Sequence, residues 1–504
     1  MNSLTLLLLL HLLLPQPSTS EYTVVMPDST TTTSSSSTLV DGPPRTGFPD
    51  GARTDPDEQL AVYEVMEATG NGWARSISDV CSGRWHGIEC VPDADDVYHV
   101  VSLSFGSLSD DTAFPTCADN GRPYLSQSLL RLPHIRSLFF YRCFTTNPQP
   151  IPPFLGKLGP SLRTLVLREN GHVGAIPGEL GNLTSLKVMD LHANSLGSSI
   201  PSSFSGLTKL ELLDLSANRL KGLLPRLDHH FSSLKVLDLN QNLLEGPIPQ
   251  SIGSCSSLIK VDLSHNRLTG QIPDSVQSLS NLILFDLSQN RLSGPLSLSG
   301  LVSLKALVLN GNTFGTSIPE NALSGLNNLS TLVISDSGLV GPIPTSLAEL
   351  PSLRVLHLDR NGLNGSIPRR FGELERLSEL RLNDNRLIGP IPFKREMLWR
   401  MGRKLRISNN LGLCYDVAVG GGDGVGPSLS SLGVGYCEGR RTMRAPEGVE
   451  AKATATGAPQ TQHLSSSTDT NGRSGFQSSS CVRLRGSVTH TFVVFLVLLL
   501  LKLF

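Results

Sequence analysis

The sequence predicts an α/β solenoid of leucine-rich repeats: about 10 regular repeats, preceded by degenerate ones and closed by disulfide caps at both ends. Three observations carry this prediction. A column of Asn recurs at Asn170, Asn194, Asn218, Asn242, Asn266, Asn290, Asn312, Asn361 and Asn385, with Ser337 in the one exceptional place, at steps of 22 to 25 residues. A stacked coil needs such a constant period because each turn must meet the next in register. Gly-x-Ile-Pro recurs downstream of the column, at Gly174, Gly246, Gly270, Gly341, Gly365 and Gly389. Finally, cysteines cluster where the repeat begins and ends.

Taken from the start, residues 1–20 read as a secretory signal peptide: an apolar run over residues 4–14, then Pro15 and small polar residues. The run is too short to span a bilayer. Residues 21–52 are rich in Ser, Thr and Pro, cannot bury a core and are expected to be disordered. An N-terminal cap is expected over 53–99. Asp55 suits an N-cap, Pro56 the first helical position and Glu58 the return arm of a capping box. Apolar residues at Leu60, Val62, Tyr63, Val65 and Met66 predict an amphipathic helix to about Thr69, stopped by Gly70-Asn71-Gly72.

Repeats are expected over 100–410. Residues 100–105 read as the first strand and 138–143 as the second, separated by an inserted loop from 109 to about 126. Cys143 stands in the Asn column. In Leu186-x-x-Met189-Asp190-Leu191-x-x-Asn194 the strand alternation sends Met189 and Leu191 inward and Val188, Asp190 and His192 to the concave side. Asn194 is expected to turn inward and bond backbone groups of adjacent coils. A C-terminal cap follows over 411–438, a disordered linker over 439–480 and an apolar tail within 481–504. The tail fits a lipid-anchor signal or a short transmembrane segment, either of which leaves no cytoplasmic domain.

The sequence holds eight cysteines. Neighbouring pairs are expected at Cys81–Cys90, Cys117–Cys143 and Cys414–Cys437, although sequence does not determine connectivity. Cys255 is expected to be a buried thiol, and Cys481 lies in the tail region. Three sequons, at Asn182, Asn328 and Asn364, predict glycans on faces a partner leaves open.

No catalytic, cofactor-binding or metal-ligating constellation is nominated, and the reading is of a protein that is not an enzyme. The glycine-rich stretch at 420–426 has neither the preceding strand nor the following helix of a phosphate loop. Trp85 and His86 read as cap-packing residues. Net charge is −1, from 42 basic and 43 acidic residues, which argues against a nucleic-acid partner. The informative surface is therefore the concave face. Asp190, Asp214, Asp238, Asp262 and Asp286 fill one position in five successive coils, either as an unliganded ladder or as an acidic stripe that steers a basic protein. Phe139, Tyr141, Val166 and Arg168 precede the stripe, and His357 and Arg381 follow it. Exposed aromatics beside Arg suit a binding hot spot; packing beneath the inserted loop is the other reading.

Several segments outside the generic repeat carry a resemblance: Gly83-Arg-Trp-His-Gly-Ile-Glu-Cys90, Asp110-Asp-Thr-Ala-Phe-Pro-Thr-Cys117 and Phe139-Phe-Tyr-Arg-Cys143 among them. From about residue 53 to about 414 the chain resembles plant leucine-rich-repeat receptor-like proteins that lack a kinase and act in stomatal patterning. The repeated Gly-x-Ile-Pro resembles the plant-specific repeat subclass. The resemblance implies partnership with ERECTA-family receptor kinases, perception of secreted cysteine-rich epidermal patterning peptides, and a place on the extracellular face of the plasma membrane through the C-terminal tail. The rival class is a wall-associated inhibitor of pathogen polygalacturonases, which shares this repeat.

Overall fold

The computed structural model describes residues 53–82, 87–106, 117, 121–227, 229–416 and 432–437. Signal peptide, Ser/Thr/Pro segment, Trp85, His86, most of the inserted loop, the glycine-rich stretch, the linker and the tail with Cys481 lie outside them. The described residues all fall in one compact unit.

The helix Pro56–Ala68 opens the cap as expected. The Asp55 carboxylate accepts from Asp57 N at 3.0 Å and Glu58 N at 3.1 Å. The capping box does not close, because Asp55's own N–H is already donated to the Tyr98 carbonyl at 3.0 Å. Glu58 turns instead to the first strand, where it accepts from Val100 N at 2.7 Å. A buried carboxylate thus rivets the helix to the sheet.

From there each coil contributes one short parallel strand. The strands Val97–Phe105, Ser137–Tyr141, Thr164–Arg168 and those of every later coil to Leu405–Arg406 form a sheet of 15 strands, counting the antiparallel Ile88–Pro92 and the short Arg53–Thr54 at its N-terminal edge. Parallel strands at this spacing stand about 4.8 Å apart, so the coil pitch is the strand pitch. Inward positions such as Met189, Leu191, Leu213 and Leu215 are buried in one continuous apolar core.

After each strand the chain must turn sharply. It does so through a left-handed residue just before the column position: φ is +53° at Ala193, +52° at Ala217, +54° at Gln241 and +54° at His265. Non-glycine residues accept this strain where surrounding structure over-determines it. Here the column supplies that structure. Asn218 Nδ2 donates to Leu191 O at 2.9 Å in the preceding coil, and its Oδ1 accepts from Leu196 N at 3.0 Å. Asn242, Asn266 and Asn290 repeat the pattern, and Asn410 extends it past Asn385.

All six Gly-x-Ile-Pro motifs carry a second short strand: Val173–Ala175, Leu243–Gly246, Arg267–Gly270, Val340–Pro342, Gly362–Gly365 and Arg386–Pro390. In five of the six the proline then starts a 3-10 turn on the outer side, with φ between −55° and −71° at Pro177, Pro249, Pro273, Pro344 and Pro368. Its ring presets that angle. These turns pack so closely that a Cβ on Gly181 would lie 2.3 Å from the Ser203 carbonyl oxygen. Between Leu292 and Val340 no second strand is described, which matches the short step from Asn290 to Asn312 and the loss of Ile-Pro at Gly294-Pro-Leu-Ser.

The three expected disulfides form: Cys81–Cys90, Cys117–Cys143 and Cys414–Cys437. Cys255 is buried and keeps its thiol. Cys143 N still donates to Asn170 Oδ1 at 2.7 Å, so the column runs through the position where the inserted loop is stapled. Among the described residues no helix is long and apolar enough to cross a membrane.

Candidate ligand-binding face

Strand register turns the nominated residues into one line. Phe139 pairs with Val166, Val166 with Asp190, and the line continues through Asp214, Asp238, Asp262, Asp286, Val308, Val333, His357 and Arg381. Tyr141 and Arg168 pair with each other two positions further along their strands. Residues spread over 243 positions of sequence, from 139 to 381, therefore share one face of one sheet.

The face is more enclosed than alternation alone suggests. Tyr141, Val166, Arg168, Asp190, Asp238, Asp262, Asp286 and His357 are buried, while Phe139, Asp214 and Arg381 are half-buried. Side chains on adjacent strands cover one another at the strand spacing, so an outward position is not an open one. The expectation of an exposed aromatic–Arg patch is corrected accordingly: of Phe139, Tyr141, Val166 and Arg168, only Phe139 keeps appreciable exposure. Arg168 Nη1 instead donates to Asp190 Oδ2 at 3.3 Å, a pair with both side chains under a tenth exposed.

Nor is the Asp ladder simply solvated. Each carboxylate bends along its own strand. Asp262 Oδ1 accepts from Ser264 N at 3.1 Å and Ser264 Oγ at 2.7 Å, and Asp286 does the same with Ser288. Burial, together with the neighbouring carboxylates, pushes Asp190 up to about 7 and Asp262 well above the usual carboxylate range; burial likewise raises Asp286. Asp238 goes the other way. Burial opposes its charge, but the Lys260 ammonium 2.6 Å away outweighs that and holds it low. The same carboxylates raise Lys260 despite its own burial.

Lys260 was missed by sequence reasoning, though alternation in Lys260-Val-Asp262 already places it beside Asp262 on the outward side. Glu379 was missed for the same reason. It accepts from His357 Nε2 at 2.9 Å and from Arg381 Nη2 at 2.7 Å, and those bonds, against burial, bring its carboxyl down to about 2. The face thus has three zones: an Arg168-linked acidic run, an apolar break at Val308 and Val333 flanked by Leu284 and Ala306, and a His357–Glu379–Arg381 cluster. A shallow pocket of about 360 Å³ on the lateral edge is lined by His134, Arg136, Arg163, Lys187 and Lys209, a basic flank that no motif announces. The sequon residues Asn182, Asn328 and Asn364 are all exposed, away from the concave strands.

A leucine rich repeat model matches residues 160–220, 256–314 and 327–387, and a second leucine rich repeat model matches 233–255. The chain is 70% identical to Protein TOO MANY MOUTHS of Arabidopsis thaliana over 153 residues, which are 30% of this chain and 30% of that protein. It is 36% identical to Receptor like protein 29 of the same plant over 145 residues, 27% of this chain and 30% of that one. The matched stretch spans about a third of the length of each relative. Among solved structures, PEPR1 with AtPEP1 is similar at TM-score 0.58 and 30% identity, covering 71% of this chain and 49% of that one. The HAESA ectodomain of Arabidopsis with an N-terminally extended IDA peptide hormone is similar at TM-score 0.56 and 29% identity, over 71% and 57%. The plant peptide hormone receptor RGFR1 with RGF2 is similar at TM-score 0.53 and 31% identity, over 58% and 46%.

Proposed function

We propose, from the premise that this chain is a leucine-rich-repeat protein of the plant receptor-like type, that it stands at the cell surface and perceives a secreted peptide together with a receptor kinase. The observation that carries this reading is the 70% identity over 153 residues to TOO MANY MOUTHS. The finer reading is a kinase-less co-receptor that works with ERECTA-family receptor kinases, takes basic, cysteine-rich patterning peptides and controls stomatal patterning.

Geometry supports a peptide rather than a small molecule. The face is a shallow line along many strands, not a closed cavity of the kind that engulfs small ligands. Its zones alternate negative, apolar and mixed charge, which suits an extended or knotted peptide laid across the strands. Arg168, Asp190, Lys260 and Glu379 are all held in ion pairs, so their positions are set before a ligand arrives. Preorganisation of this kind lowers the ordering cost of binding. Ser216 Oγ meets His192 Nδ1 at 2.7 Å on this face but gives its proton to the Asp214 carboxylate, and the reading is of binding rather than catalysis.

The test is recovery of ERECTA-family ectodomains on the immobilised secreted chain, with and without patterning peptides. Recovery that strengthens with peptide is expected; capture of no receptor kinase under any condition would sink the reading. A double variant, Asp214→Lys with Asp238→Lys, then locates the contact. A drop in peptide affinity of about tenfold or more is expected if the acidic run meets a basic ligand. Unchanged affinity, in a variant with wild-type circular dichroism, would make the run structural only.

A further inference from the structure

We infer that Glu58, His99 and His134 form a binding site for a divalent cation of the zinc class at the N-terminal end of the solenoid. The three residues lie far apart in sequence, and each comes from a different element: the cap helix Pro56–Ala68, the strand Val97–Phe105 and the turn that precedes the strand Ser137–Tyr141. One ligand atom from each, a carboxylate oxygen and two imidazole nitrogens, all fall within 4.8 Å of one another. Glu58 Oε1 lies 2.8 Å from His99 Nδ1, and the two imidazole rings sit 4.3 Å apart between centroids.

Bonds of about 2.0–2.2 Å to a tetrahedral ion separate its ligands by roughly 3.3 Å. Glu58 and His99, at 2.8 Å, are already near that separation, and exposed His134 offers a third ligand atom within 4.8 Å of both. One carboxylate with two imidazoles suits zinc and its late first-row neighbours and does not suit calcium or magnesium, which take oxygen ligands.

The surroundings have the second layer that such sites use. A ligating histidine commonly gives its other nitrogen to a carboxylate, which fixes tautomer and ring orientation. His99 Nε2 faces Asp93 Oδ2 at 3.4 Å. The second Glu58 oxygen is held by Val100 N at 2.7 Å. The two inner ligands are therefore held side by side by their mutual hydrogen bond, which an arriving ion would replace, and exposed His134 lies on the solvent side. Because the ligands come from three elements, an ion here clips the cap helix to the first two coils and leaves a further coordination position toward solvent.

The full secreted chain, stripped with chelator, is titrated with zinc chloride by calorimetry, with thermal unfolding followed in parallel. One saturable equivalent and a rise in Tm on adding zinc are expected for the wild type. His134→Ala is expected to weaken binding by at least about tenfold and to abolish the Tm rise, with its zinc-free Tm unchanged because the side chain is exposed. His99→Gln should lose the binding as well. The absence of saturable binding in the wild type overturns the site. So does wild-type affinity in His134→Ala, which would place the ion on other histidines of the chain.

Discussion

The Asn column and the Asp column run side by side through the same coils, and their hydrogen bonds run in different directions. Asn218 donates to Leu191 O in one coil and accepts from Leu196 N, so the bond ties neighbouring turns together. Asp262 and Asp286 accept from Ser264 and Ser288 of their own coils, so those bonds tie nothing across coils; Asp190 and Asp238 reach other coils through the charged partners Arg168 and Lys260. Stacked amides attract along the axis. Stacked carboxylates repel, and burial sharpens the repulsion because low dielectric strengthens it. The solenoid is therefore held by its neutral column and carries Asp262 and Asp286 at a cost, while Arg168 and Lys260 offset the charge of Asp190 and Asp238. A polar ladder on this fold is structural when its bonds cross coils, and is a property of the face when they do not.

The sharpest break of this comparison is Asn242→Ala. It strands Leu220 N, which now meets Oδ1 at 2.9 Å, and the carbonyl of Leu215, which now accepts at 3.0 Å. A buried group left without a partner costs about 1–3 kcal/mol, so a loss of about 3–5 kcal/mol is expected in urea unfolding followed by circular dichroism. A loss under about 1 kcal/mol would mean that the column does not hold the coils.

His172 supplies the next test, because its proton responds oppositely to those of the Asp column. It is fully buried beside Asn170, its Nδ1 meets Gln149 O at 3.0 Å, and its Nε2 has no partner. Burial pulls it from the ordinary 6.5 down to about 4. The folded state therefore binds fewer protons than the unfolded one between those values, and stability falls as pH drops from 6.5 to 4. The full loss is on the order of 3 kcal/mol. His172→Phe should flatten that part of the stability–pH curve, whatever fixed cost the substitution adds. An unchanged slope would assign the pH response elsewhere.

Much of this was legible in the sequence. Asp55 and Pro56 marked the helix start and the column marked the coils, because each signal is local and has a local physical cause. What was not legible is what adjacent coils do to one another. Glu58 looked like half of a capping box until strand pairing took the N–H it needed. Tyr141 and Arg168 looked exposed because alternation gives direction and says nothing about what covers a side chain. Lys260 and Glu379 could have been found by applying alternation to every outward position rather than to the repeating one alone.

Asp262→Asn tests the charged column directly. The amide oxygen can still accept from Ser264 N, while the charge is removed. The Asp262 carboxyl is raised in the folded state, chiefly by burial and then by Asp238 and Asp286. Its charge thus costs stability once pH rises above the ordinary 3.8. The variant should be more stable than wild type at pH 7, with the difference shrinking as pH falls and vanishing near pH 4. A destabilised variant at pH 7 would show that the carboxylate ladder holds the coils after all.

The smallest effect, and the most discriminating, is expected at Ser337, the exception within the run of the neutral column from Asn170 to Asn385. Repeat logic says that Ser337→Asn should repair the ladder. Local geometry says otherwise. Ser337 Oγ already donates to Leu309 O at 3.1 Å, the carbonyl an Asn would seek. Phe314 N, the donor that an Asn Oδ1 would accept from, is already taken by the Ser337 backbone carbonyl at 2.9 Å. The 25-residue step from Asn312 to Ser337 has shifted the backbone into the place of the missing side chain. The added amide would sit in a fully buried position with its oxygen unpaired, at a cost of about 1 kcal/mol. A stabilised variant in the same unfolding assay would show that the exception is a defect; a destabilised one, that the coil is built around serine.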